Sequence, residues 1–282
     1  MPRAHGLLAI SPLRLHPDAC ILVLVPFPMY LAAMNRYFLE VTYKGTRYAG
    51  SQVQLNALTV QAELEKALEV YFRRRVELTG SSRTDAGVHA RQNFYHFDNP
   101  EPVNPRAIYN INAILPADIA VQRFIPVPAD AHCRFDAIAR EYEYFIYKSK
   151  DPFLDDRAWY YPYTLDLKML ETVAGVIGEY TDFTSFSKRN SQVRTFNCQI
   201  EYSEWQVRGE CTVYRVRANR FLRGMVRGLV GTMLQVGRGK ITVEKFRQII
   251  EARDCTKADF SVPGHGLFLQ KVVYRDDYFF DA

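Results

Sequence analysis

The order of strands and helices between residues 36 and 127 constrains the fold more than any other feature of this 282-residue chain. Runs of aromatic and β-branched residues predict four strands, over Tyr37–Tyr43, Val76–Thr79, Gln92–Phe97 and Ile119–Val127. Helical spacing after a capping threonine, and a proline in a first turn, predict helices over Val60–Arg73 and Asn104–Ala113. Strand, helix, strand, strand, helix, strand is the ferredoxin-like order.

The remainder of the chain repeats this combination of elements. Strands are predicted over Arg140–Tyr147, Val193–Glu204, Glu210–Val216 and Leu267–Tyr274, and helices over Leu165–Ile177, Arg220–Gly231 and Val243–Ala252. We therefore predict an α+β fold with two ferredoxin-like (RRM-like) halves, residues 34–140 and 141–282. The halves are expected to form one extended, mainly antiparallel sheet, with helices on one side and an active-site cleft between them.

Residues 1–33 differ in composition from the rest of the chain. Ala19–Ala33 is almost wholly apolar, but it is short for a bilayer span and is interrupted by Pro26 and Pro28. A signal-peptide core is the alternative, although the long preceding stretch with Asp18 argues against it. We favour an N-terminal extension that packs poorly, with Met34 as the natural start, and expect no membrane association.

The helix predicted over Arg220–Gly231 carries three glycines at helical spacing, Gly224, Gly228 and Gly231. Each glycine costs a helix about 1 kcal/mol relative to alanine, so their presence indicates a close approach by other backbone. Arginines occupy the neighbouring face, at positions 220, 223 and 227. A solvated surface is the alternative interpretation of that face.

A polar, turn-rich loop from Gly80 to Ala90 separates two predicted strands. Asp85 followed by Gly87 indicates a turn, because the Asp side chain bonds nearby backbone and glycine accepts a positive φ. Arg83 lies two residues before Asp85, so on extended backbone its guanidinium could hold the carboxylate ionised. These residues alone leave two alternatives open, a turn-forming Asp and a nucleophile or base.

Composition excludes several kinds of site. The five cysteines are scattered and odd in number, which argues against a disulfide framework and a structural zinc site. His132 and Cys133 are the only adjacent soft ligands, and one pair cannot complete a four-coordinate metal site, so we expect no metal. The net charge of +5 permits a polyanionic partner without requiring one.

The sequence of the loop is more specific than its spacing. The run Arg83-Thr84-Asp85-Ala86-Gly87-Val88-His89-Ala90 closely resembles the catalytic loop of the tRNA pseudouridine synthase A (TruA) family. The resemblance extends from Arg36 to about Tyr274 and includes Phe221-Leu222-x-x-Met225-Val226-Arg227. One position departs from the family pattern, since Ser51 stands where the family has an aromatic residue, commonly Trp.

The resemblance implies isomerisation of uridine to pseudouridine at positions 38, 39 and 40 of the tRNA anticodon stem-loop, without a cofactor. It implies that Asp85 is the nucleophile and that Arg227 forms an ion pair with it. Tyr142 falls at the family's active-site tyrosine, which stacks on the target base and is a proposed proton acceptor.

RNA-binding roles are expected for four further residues, Arg83, Arg140, Arg220 and Arg223. By resemblance, Arg83 fills the space left by the flipped base, the partners are tRNA and a second copy of the chain, and the location is cytoplasmic. The alternative from another class is a non-catalytic RNA-binding protein on the same fold, motivated by Ser51 and the mild basicity.

Overall fold

The computed structural model describes residues 34–189, 193–276 and 278–279, so the predicted extension over residues 1–33 lies outside the described residues. Nine strands are present in this part of the chain: β1 Asn35–Tyr43, β2 Thr79–Gly80, β3 His89–Asn99, β4 Ile119–Val127, β5 Ala139–Tyr147, β6 Trp159–Tyr160, β7 Ile200–Arg208, β8 Cys211–Ala218 and β9 Leu267–Val273. Five α-helices accompany them: α1 Val60–Phe72, α2 Ala107–Ile114, α3 Leu167–Ile177, α4 Met225–Gly237 and α5 Val243–Glu251. None of these helices is both long and apolar enough to cross a membrane.

The strands form one sheet in the order β4-β1-β3-β9-β5-β8-β7, with β2 paired to β3 and β6 paired to β5. Neighbours are antiparallel except for β3 with β9 and β5 with β6. The predicted α+β class and mainly antiparallel sheet are therefore confirmed. Division into two ferredoxin-like halves stays a prediction.

Helix α1 forms for the local reasons that the sequence indicates. Thr59 Oγ1 accepts a hydrogen bond from the backbone N–H of Ala62, at 3.3 Å. Val60, Leu64 and Leu68 recur at helical spacing and are fully buried. The helix therefore begins at the predicted residue and ends one residue earlier than predicted.

The strand predicted over Val76–Thr79 is much shorter than expected. Leu78 donates its backbone N–H to Glu65 Oε1 at 3.0 Å, and its carbonyl accepts from Gln61 Nε2 at 2.8 Å. Side chains of α1 thus take the backbone bonds that a neighbouring strand would have taken. Only β2, Thr79–Gly80, pairs with the sheet.

Helix α4 begins at Met225, so the prediction that it starts at Arg220 is wrong. Gly224 has a φ of +74°, a left-handed conformation that ends the preceding turn and lies just before the helix. Arg220 and Arg223 consequently precede the helix and do not share a helical face with Arg227.

The predicted close approach of other backbone to the glycines of α4 is confirmed at Gly231, whereas a side chain approaches Gly228. A Cβ on Gly231 would lie 2.3 Å from the carbonyl oxygen of Asp259. A Cβ on Gly228 would lie 2.8 Å from the ring of Phe260. The segment 259–260 can therefore pack directly against the helix backbone.

Candidate active site

The candidate site lies on the loop between β2 and β3, residues 81–88. The backbone N–H of Val88 donates to the carbonyl of Asp85 at 3.1 Å, and Gly87 has a φ of +78°. These features form the turn that the sequence predicts after Asp85. The Asp85 side chain is 28% exposed, so its carboxylate can reach a ligand from solvent.

Arg227 is the cation that faces Asp85. Its Nη1 lies 3.6 Å from Asp85 Oδ2, and its side chain is 15% exposed. Its Nε donates to the carbonyl of Val262 at 2.6 Å, which fixes the direction of the guanidinium. Within the described residues, Arg83 forms no ion pair and lies exposed. The structure thus brings Asp85 together with the arginine from α4.

Ser51, the residue that departs from the family pattern, supports the loop from beneath. It is 2% exposed, and its hydroxyl accepts the backbone N–H of Thr84 at 2.9 Å. Its own N–H donates to the carbonyl of Thr84 at 3.1 Å. Two hydrogen bonds therefore hold the residue next to Asp85. Sequence analysis missed this role, for which the only signal was a small hydroxyl side chain in place of an aromatic ring.

The turn before β9 packs against the other side of the loop. A Cβ on Gly264 would lie 2.2 Å from the carbonyl oxygen of Ala86, so only glycine permits this contact. Tyr144 donates its hydroxyl to the carbonyl of Pro263 at 2.9 Å and positions the same turn. Residues far apart in the sequence thus enclose the loop.

His89 connects these segments as a buried neutral side chain. Its Nδ1 accepts from the backbone N–H of Gly45 at 3.1 Å, so Nε2 carries the proton and donates to the carbonyl of His265 at 2.9 Å. Burial lowers the pKa of His89 to about 4, which keeps the imidazole neutral. Both ring nitrogens of His89 therefore form hydrogen bonds that hold backbone segments together.

Tyr142 lies on β5 near Asp85 and is 8% exposed. Its ring packs edge-to-face on Phe221, with centroids 5.0 Å apart at 81°. Burial raises the pKa of the Tyr142 hydroxyl, and the nearby Tyr43 and Asp85 raise it further against the opposing charge of Arg140. The phenol is therefore neutral at ordinary pH.

The four predicted RNA-binding arginines have different surroundings. Arg83 and Arg223 are exposed and Arg220 is partly exposed. Arg140 instead donates to three backbone carbonyls, those of Arg134, Ala137 and Asn219, at 2.6, 2.9 and 3.2 Å. Its donors are engaged in holding the loop between β4 and β5.

His96, His132 and Cys133 form a cluster that the sequence did not reveal, with one donor atom from each within 4.8 Å of the others. Nδ1 of His132 accepts from the backbone N–H groups of Arg134 and Phe135, at 3.2 and 3.4 Å. Cys133 Sγ donates to the carbonyl of Thr79 at 3.0 Å. Metal-binding histidines use the opposite arrangement, in which the second ring nitrogen donates. The cluster is therefore a hydrogen-bonded anchor for the loop.

Comparison of the sequence with known proteins identifies its family. The sequence profile of the family described as tRNA pseudouridine synthase matches residues 40–136 and 177–275. The chain belongs to the tRNA pseudouridine synthase family. The two matched segments contain Asp85 and Arg227, whereas Tyr142 lies between them.

Relatives named tRNA pseudouridine synthase A are similar over most of their length. The protein from Parabacteroides distasonis is 45% identical, with 87% of this chain and 98% of the relative aligned. The protein from Bacteroides thetaiotaomicron is 46% identical, with 87% of this chain and 93% of the relative aligned. The protein from Thermosipho melanesiensis is 37% identical, with 86% of this chain and 100% of the relative aligned. The similarity to the family therefore spans nearly the full length of these relatives.

Proposed function

We propose that this protein is an isomerase that converts uridine to pseudouridine in tRNA, with Asp85 as the nucleophile. The observation that carries the proposal is the pair formed by Asp85 and Arg227, whose charged atoms lie 3.6 Å apart. The pair lies on a supported loop within the segments that match the pseudouridine synthase family. A partly exposed carboxylate with one fixed cationic partner suits nucleophilic attack on a nucleoside.

The reaction breaks the bond from N1 to C1′, rotates the freed uracil and forms a bond from C5 to C1′. C5 loses a proton and N1 gains one, so no electrons or groups are supplied from outside and the isomerisation needs no cofactor. Attack of Asp85 at C1′, attack at C6 and a route through a glycal each satisfy this balance. Arg227 keeps the carboxylate directed at the bound nucleotide through its own bond to Val262.

Tyr142 is assigned to the target base. Tyr142 lies near Asp85 with 8% of its surface exposed, and its raised pKa keeps the hydroxyl protonated. A phenolate is therefore scarce near neutral pH, which argues against Tyr142 as a general base acting alone. We assign it to stacking on the uracil and to hydrogen bonding with a water that carries the C5 proton away.

The RNA substrate is proposed to be the anticodon stem-loop, with uridines 38, 39 and 40 as targets. Arg83 and Arg223 are exposed and Arg220 is partly exposed, so their charges are accessible for phosphate contacts. Arg83 is proposed to fill the gap left by the flipped base. We propose that the enzyme acts as a cytoplasmic homodimer.

For the fold, we propose two ferredoxin-like halves with the active-site cleft between them. The strand orders β4-β1-β3, with β2 on β3, and β9-β5-β8-β7 support this proposal, because each follows the order of that fold. Asp85 comes from the first half and Arg227 from the second. The active site then depends on both halves.

Tritium release from tRNA labelled at C5 of uridine tests the function. We expect release by the wild type and at least a 1,000-fold slower rate for Asp85→Asn, since an amide of the same shape lacks the nucleophile. RNA affinity should be unchanged within a few-fold. Release by Asp85→Asn at the wild-type rate contradicts the assignment of Asp85. Tight binding without release by the wild type supports the alternative of a non-catalytic RNA-binding protein.

A further inference from the structure

The loop between β4 and β5, residues 128–138, presents two side chains that the proposed chemistry does not use. Phe135 is 72% exposed, and Arg134 beside it is exposed as well. The guanidinium carbon of Arg134 lies 5.7 Å from the centre of the Phe135 ring. Many proteins bind single-stranded RNA through an aromatic ring that lies next to an arginine.

The backbone beneath these side chains is held by several hydrogen bonds. Tyr274 donates its hydroxyl to the carbonyl of Cys133 at 2.6 Å, and Arg140 donates to the carbonyls of Arg134 and Ala137. The N–H of His132 donates to Asp136 Oδ2 at 2.7 Å. The ring of Phe135 is therefore exposed on a loop whose backbone is already fixed. Stacking of this ring on a base then costs little additional conformational entropy.

Positive charge converges on the same place from three segments. The Arg134 side chain is exposed overall, but desolvation of part of it lowers the pKa of its guanidinium, and the nearby charges of Arg83, on the catalytic loop, and Arg220, before α4, lower it further. Within the described residues, no carboxylate forms an ion pair with any of the three. Neighbouring cations without an acidic partner repel one another, and a bound anion relieves that repulsion.

We propose that Arg134 and Phe135 form a nucleotide subsite beside the catalytic loop. Arg134 binds a phosphate of the substrate RNA, and Phe135 stacks on the base that adjoins it. The inference rests on the proposed function, because the subsite holds the strand that delivers the target uridine to Asp85. Stacking accepts every base, so the subsite positions the strand without reading its sequence.

Binding of a fluorescent anticodon stem-loop RNA to the full chain tests the stacking contact. Phe135→Ala should weaken binding at least about five-fold, the lower limit for loss of one base–aromatic stack. Phe135→Trp should retain wild-type affinity. Phe153→Ala is the matched control, since Phe153 is another aromatic residue on the surface, 81% exposed.

Salt dependence tests the phosphate contact separately. Arg134→Gln should reduce the slope of log affinity against log salt concentration by about one, as expected for the loss of one phosphate contact. Arg134→Lys should restore the slope, whereas Phe135→Ala should leave it unchanged. A wild-type slope for Arg134→Gln overturns the phosphate contact.

These binding measurements do not depend on isomerase activity. Equal affinity of Phe135→Ala, Phe153→Ala and wild type overturns the subsite even if the wild type releases tritium at full rate. Weaker binding by Phe135→Ala together with no tritium release from the wild type supports the subsite and contradicts the isomerase. The two proposals therefore fail in different experiments.

Discussion

At the scale of single residues, the position of Asp85 depends on neighbouring groups that hold its backbone. Ser51 accepts the N–H of Thr84 and donates to its carbonyl, so both polar backbone groups of the preceding residue are paired. Gly50 has a φ of +117°, and a Cβ there would lie 2.8 Å from the carbonyl oxygen of Thr84. The pair Gly50-Ser51 thus provides a close, polar support for the residue before Asp85.

We expect Ser51→Ala to lower the free energy of unfolding by about 1–3 kcal/mol, because the Thr84 N–H stays buried without its acceptor. Urea denaturation monitored by tryptophan fluorescence measures the change. Gln52→Ala is the control, since Gln52 is exposed, and its effect should stay within about 0.5 kcal/mol. Equal effects of the two substitutions would show that the hydroxyl does not support the loop.

At the scale of elements, helix α4 places Arg227 opposite Asp85. Its start is set by the left-handed Gly224, and its depth in the molecule is set by Gly228 and Gly231, where other segments touch the helix backbone. Met225, Leu229 and Met233 are fully buried along one side. Packing of this helix therefore determines the separation of the two charged groups.

Gly231→Ala should destabilise the protein by about 1–3 kcal/mol, because the added methyl meets the Asp259 carbonyl and overpacks the contact. Urea denaturation measures this loss of stability. In the tritium-release assay, the rate should fall because the shift of α4 moves Arg227. Gly175→Ala, in α3, provides the matched control. Nothing lies within 4 Å of a Cβ at Gly175, so alanine there should stabilise by up to about 1 kcal/mol through helix propensity. Similar unfolding curves for both variants would contradict the close approach.

At the scale of the whole molecule, one short parallel contact joins the two parts of the sheet. β3 and β9 pair through His89 with Phe268 and Ala90 with Leu269. The ring of His89 stacks on Phe268, with centroids 4.4 Å apart, and its nitrogens bond to Gly45 and His265. A neutral histidine therefore stabilises the contact between β3 and β9, next to the loop that carries Asp85.

The buried histidines of β3 predict a fall in stability under mildly acidic conditions. Burial lowers the pKa of His89 and of His96 to about 4, below the ordinary 6.5. Between these values the unfolded chain binds more protons than the folded chain, so stability is full above pH 6.5 and falls as the pH drops toward 4.

Urea unfolding at a series of pH values measures this dependence. Each of the two histidines should contribute a loss of roughly 2 kcal/mol between pH 7 and pH 5. His89→Asn, which removes one titrating group, should give a shallower decrease. Constant wild-type stability over this interval would contradict buried neutral histidines.

The sequence by itself determined the features that depend on neighbours along the chain. The bounds of β4, the start and cap of α1 and the turn after Asp85 follow from spacing and from hydrogen bonds within a few residues. The α+β class follows from the order of these elements. The specific loop sequence around Asp85 led to the correct family, whose profile matches the segment that contains this loop.

Tertiary structure alone decided where segments meet. The start of α4 was misplaced because the arginine and glycine spacing continues through residues 220–224, whereas the backbone of Gly224 interrupts it. The support of Asp85 by Ser51 and the engagement of Arg140 with carbonyls join residues that no local pattern connects. Such contacts depend on strand order and packing, which bring distant segments together only after the sheet has formed.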